Sequence, residues 1–158
     1  MPDSATASFD GIEFLRGGGL VAGRIARHDW SAHPLGPPAQ WPSELKTVLS
    51  IMLGSRFAMC VGWGPDLLLF YNDPYMQVLG AKEPGALGEP IREVWSELWE
   101  DIRPLAETAM AGTATWVEDM YLRMRRHGFA EDTWWSFTYT PVRDPDGRVV
   151  ARLNVTHE

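Results

Sequence analysis

Apolar residues recur at steps of three and four at Leu45, Val48, Leu49, Met52 and Leu53, between Pro42 and Gly54. That spacing puts them on one stripe and predicts an amphipathic helix with Ser43 as N-cap and Gly54 as stop. A shorter run, Leu20, Val21 and Ile25 interleaved with Arg24 and Arg27, predicts a helix from Leu20 to His28 behind the Gly17-Gly18-Gly19 hinge. From Arg56 to Val61 and from Leu67 to Tyr71 the texture is that of two strands, joined by Gly62-Trp63-Gly64-Pro65-Asp66. Asn72-Asp73-Pro74 then opens a short helix, Pro74 to Leu79, with proline in the first turn, where its missing N–H breaks no bond.

Between Gly80 and Pro90 the glycines and prolines admit only short helical turns. A longer helix is predicted from Ser96 to Met110, ending at Gly112, and Pro104 inside it predicts a kink or a break. The period then changes to two, giving strands Thr115 to Met124, Thr133 to Val142 and Arg148 to Thr156, with Asp144-Pro145-Asp146-Gly147 as the turn between the last two. Five strands with helices gathered between the second and third predict an α+β fold, an antiparallel sheet with helices on one face. The first ten residues are small and polar and predict a leader without order. The proline-rich stretch from Asp29 to Pro42 excludes regular structure; it is an ordered wrapping segment if Trp30, Leu35 and Trp41 find pockets, and a linker if they do not.

Length and charge narrow the class. A chain of 158 residues accommodates one domain with an N-terminal extension. Fourteen Lys and Arg against 21 Asp and Glu, a net charge of -7, remove the electrostatic drive for nucleic-acid binding. The lone Cys60 allows neither an internal disulfide nor a multi-cysteine zinc site, which suits a reducing cytoplasm. No apolar run approaches the roughly 18 residues of a membrane span, so the segment reads as cytoplasmic and without membrane contact.

Three stretches together resemble the PAS family. Leu68-Leu69-Phe70-Tyr71-Asn72-Asp73-Pro74-Tyr75 is similar to its second strand running into its first helix, and Gly85-Ala86-Leu87-Gly88-Glu89-Pro90 to its leucine-glycine turn. Tyr139-Thr140-Pro141-Val142-Arg143-Asp144-Pro145-Asp146-Gly147 resembles its most recognisable hairpin. The segment from His28 to Pro42 looks like the leader that precedes such domains in bacterial sensor histidine kinases. The resemblance implies a PAS fold over residues 55–158, a leader with cap helices over 1–54, and a sensory role in a two-component signal-transduction protein whose output domain lies in the same polypeptide. No kinase catalytic box is present, so the segment itself is read as a sensor and not an enzyme. At Asn154-Val155-Thr156 asparagine stands where the family's signal-transfer motif has aspartate.

Alternation along the strands sorts the candidate ligand-binding residues. Trp135, Phe137 and Tyr139 share one face of the fourth strand, and Val150, Arg152, Asn154 and Thr156 one face of the fifth. Register with ligand-binding relatives turns both sets inward, and with Tyr71 on the second strand they give the site Trp135, Phe137, Tyr139, Arg152, Asn154 and Tyr71. Plain core packing is the alternative for the aromatic set. An inward Arg152 requires an anion or a carboxylate such as Glu118 or Asp119, so it points to a small polar or acidic ligand, or to a paired or solvated arginine. The opposite face of the fifth strand, Val149, Ala151, Leu153 and Val155, is left to receive a helix or a second subunit, and this face and the helix from Ser43 are the homodimerisation candidates.

The cofactor is left unknown. Ile91 stands where light-sensing flavin relatives carry their reactive cysteine, which argues against flavin adduct chemistry. The long helix holds no histidine, which argues against histidine-ligated haem. His28, Asp29 and His33 match no metal-ligand spacing, and Cys60 reads as a small buried hydrophobe. The competing readings are a ligand-free PAS dimerisation and relay module, and a small α+β enzyme using Glu118, Asp119, Glu131 and Asp132.

Overall fold

The computed structural model describes residues 9–158, so most of the leader expected over the first ten residues lies outside the described residues. Helix α1 spans Gly19–Arg27 and α2 Ser43–Gly54; strands β1, Met59–Trp63, and β2, Leu68–Tyr71, follow. Short helices α3, Met76–Leu79, and α4, Ile91–Val94, lead to α5, Trp99–Met110, and the chain closes with β3, Thr115–Met124, β4, Glu131–Arg143, and β5, Val149–His157. The five strands form one antiparallel sheet in the order β2-β1-β5-β4-β3.

Four local expectations are corrected. Pro42 occupies the N-cap position of α2 and Ser43 is already its first residue, making no capping bond. β1 starts and ends later than its composition suggests, because Gly62 and Trp63 are paired strand residues and the reversal is confined to Gly64–Leu67, closed by the Leu67 N–H donating to the Gly64 carbonyl. The long helix begins at Trp99, not Ser96. Pro104 lies inside it without ending it: the position is exposed, so the Glu100 carbonyl that loses its partner faces water.

The N-terminal segment is an ordered part of the core. Trp30 and Trp41 are buried and meet edge to face; Trp30 stacks on Phe70, and Trp41 meets the same ring edge-on. Their indole N–H groups donate to the Ile25 and Gly36 carbonyls, and Leu35 packs beside them. Phe70 lies opposite Val61, and Val61 opposite Leu153, so this aromatic group covers the side of the sheet that carries Ala151 and Leu153. Helix α2 packs against β1 and β2, and Ala151 is fully buried. Part of the apolar face left open in the sequence reading is therefore covered by the chain's own helix. Farther along the same face, Trp116, Tyr121 and Trp134 remain exposed on β3 and β4. No helix among the described residues is long and apolar enough to cross a membrane.

Candidate functional site

The other face of the sheet and the helices α3, α4 and α5 enclose a cavity of about 40 Å³. Strand alternation delivers its sheet side: Trp135, Phe137 and Tyr139 from β4, Arg152, Asn154 and Thr156 from β5, and Cys60 from β1. The helical side is apolar apart from Tyr75 and Trp95, with Ile91, Leu98 and Ile102 among its residues. Five of the six residues singled out in the sequence thus line one cavity. Tyr71 does not: it pairs with Cys60 across β1 and β2, but its hydroxyl donates to Glu83 outside the cavity, 3.3 Å away.

Arg152 is the centre of the arrangement. Its side chain is fully buried, and none of its three guanidinium nitrogens has a hydrogen-bond partner. Glu118 and Asp119, the carboxylates considered for it, lie exposed on β3, and no Asp or Glu lines the cavity. The guanidinium sits 3.9 Å from the centre of the Tyr139 ring. A desolvated cation over an aromatic face gains about 2 kcal/mol, against several kcal/mol for burying an unpaired charge. The stacking therefore covers only part of the cost.

Arg126 shows what a satisfied buried arginine looks like in the same chain. It donates to Glu131 at 3.2 Å, to the Gln77 carbonyl at 3.2 Å and to Glu158 at 3.5 Å, and its guanidinium lies over the Trp135 ring.

Asn154 is less available than its position suggests. Its amide donates to the Thr138 carbonyl at 3.1 Å, and its oxygen accepts from the Cys60 thiol at 3.4 Å. Tyr75, not anticipated from the sequence, accepts from the Trp95 indole at 3.2 Å and lies beside the Cys60 thiol. Burial pushes the Cys60 thiol up, opposed by the nearby Arg152 charge, and burial likewise raises Tyr75 and Tyr139. These groups are therefore neutral donors at physiological pH, and Arg152 is the one charged residue lining the cavity.

The cavity is small. Its volume is far short of the roughly 300–1,000 Å³ typical of sites for drug-sized ligands. Neither a tricyclic flavin nor a haem fits this space, and Ile91 is one of its walls. The carboxylates of the enzyme reading lie elsewhere: Glu131 pairs with Arg126, Asp132 accepts from the Tyr121 hydroxyl, and neither faces the cavity. His33 is committed to the Gly88 carbonyl and the Leu35 N–H.

The model of a family described as PAS fold matches residues 67–158. No curated protein matches the chain. Among solved structures, an RNA-binding light-oxygen-voltage receptor is similar with a TM-score of 0.53 and 22% identity, over 75% of this chain and 34% of that one. The chain therefore spans about a third of that receptor's length. A variant of RsLOV gives a TM-score of 0.56 at 16% identity, covering 73% of this chain and 68% of that one. A PAS domain from Colwellia psychrerythraea gives 0.51 at 16% identity, covering 72% and 95% respectively. At these identities the likeness establishes the fold.

Proposed function

The chain belongs to the PAS fold family, and from that premise we propose that it is the sensory module of a cytoplasmic bacterial signalling protein, a histidine kinase, and is not itself an enzyme. It takes up a small polar or acidic ligand in the cavity between sheet and helices, and the occupied state biases an output domain in the same polypeptide. The observation that carries this reading is Arg152, a residue of the cavity wall whose guanidinium is fully buried and has no hydrogen-bond partner. A native ligand supplies what the protein does not.

The test compares the native and denatured masses of the purified chain with those of Arg152→Met, recording the absorption of the same samples. The reading expects an extra mass in the parent chain that the variant lacks. Bare masses in both, with no ligand recovered from cell extract, overturn it.

A ligand-free dimerisation and relay module is the second reading, and the small volume of the cavity favours it. Both readings place a homodimer partner on the exposed face carrying Trp116, Tyr121 and Trp134, since aromatic rings are over-represented in interface cores. One solved structure of similar fold is the light-state dimer of the fungal photoreceptor Vivid, with a TM-score of 0.51 and 13% identity.

A further inference from the structure

Resting on Arg152 as the ligand-binding group, we propose that the ligand is a compact planar monoanion of the nitrate or formate kind. Three observations select that class. The volume, about 40 Å³, excludes larger acids such as dicarboxylates. The charge is that of one free cation in a cavity lined by no Asp or Glu, with Arg126 already committed to Glu131 and Glu158. A second negative charge on the ligand has no partner there and faces Ile91, Leu98 and Ile102.

The shape follows from the stacking. The Tyr139 ring lies 3.9 Å from the guanidinium and covers one side of it, and a planar guanidinium presents its N–H groups as a fork in its own plane. That geometry suits two coplanar oxygens, which accept parallel hydrogen bonds. The Tyr75 hydroxyl, which accepts from Trp95 and lies beside the Cys60 thiol, is a further polar group on the cavity wall. The site is thus a single-charge oxyanion pocket whose donors are neutral except for one.

The test measures thermal unfolding of the whole described chain at constant ionic strength, with sodium gluconate as the background salt and nitrate, formate or succinate replacing it stepwise. Nitrate or formate should raise the unfolding midpoint along a saturating curve, by about 5–10 °C at a hundredfold excess over Kd, and succinate should not. Arg152→Met should abolish the rise. If that variant does not fold, Arg152→Lys, which keeps the charge but loses the fork, should weaken the response at least tenfold in Kd, and Ile102→Phe, which fills the cavity, should remove it.

A rise with succinate and none with nitrate or formate overturns the compact monoanion while leaving Arg152 as the ligand group. No rise with any salt, alongside an Arg152-dependent extra mass, does the same. An equal rise with nitrate in the parent chain and in the Arg152 variants is a general salt effect and overturns both statements.

Discussion

Asn72 is fully buried, and both ends of its amide are engaged. Its oxygen accepts from the Met59 and Tyr75 N–H groups at 3.1 and 3.2 Å, and its nitrogen donates to the Met52 and Phe57 carbonyls at 3.0 and 2.8 Å. One side chain thus ties the end of α2, the start of β1 and the turn into α3. Asn72→Ala leaves several buried donors and acceptors unpaired at about 1–3 kcal/mol each. Urea unfolding should show a loss of about 3 kcal/mol or more, without a change in fold. Asn72 was legible as a helix opener, but its hold on α2 was not, because those partners are carbonyls brought together only by the fold. Arg152 was legible for a different reason: strand alternation assigns its face, and an inward arginine demands a partner. What no pattern reveals is that the partner is missing, since that depends on where Glu118 and Asp119 point.

At the scale of elements, the three final strands were legible almost to the residue, because period-two alternation and the Asp144–Gly147 turn fix them independently. That turn closes as expected, with the Gly147 N–H donating to the Asp144 carbonyl. β1 was harder: glycine beside tryptophan at Gly62-Trp63 reads as a turn until the pairing with Leu69 and Leu68 is seen. The helical wall of the cavity was the least legible element. Tyr75 and Trp95 come from short turns without periodicity, so nothing in the sequence aims them at a common point.

The contact of α1 with the body of the fold is held at one end. Both carboxylate oxygens of Asp73 accept N–H bonds from the helix start, at 2.9 Å from Leu20 and 2.9 Å from Val21. A second link is the ion pair of Arg24 with Glu83. Asp73→Ala removes an N-terminal cap supplied from 53 residues beyond Leu20 in sequence. It should cost about 1 kcal/mol. Hydrogen exchange should show α1 losing protection while β4 and β5 keep theirs; uniform loss would mean that α1 and the sheet open as one unit.

Across the whole molecule, three of the four tyrosines are buried. Burial pushes Tyr71 up to about 12, opposed by Arg24, and raises Tyr75 and Tyr139 as well. A phenol whose folded value lies above its unfolded value near 10 favours the fold fully below about pH 10. That contribution is lost as the pH rises from there through the folded value. Tyrosinate absorbance and circular dichroism followed together from neutral to strongly alkaline pH should therefore show the exposed Tyr121, raised above its ordinary value by its hydrogen bond to Asp132, ionising without unfolding and the other three ionising with it. Early ionisation of all four would contradict the burial.

The enclosure of Arg152 also has a kinetic consequence. The guanidinium is fully buried inside a chain of net charge -7, so an anion must first cross a repulsive outer field and then wait for the helical layer to part. For the proposed anion, uptake waits on opening of the protein, so its rate should change little with inert salt, which screens only the acidic exterior. On the proposed reading such a site fills and empties slowly, and reports the average of its surroundings over time.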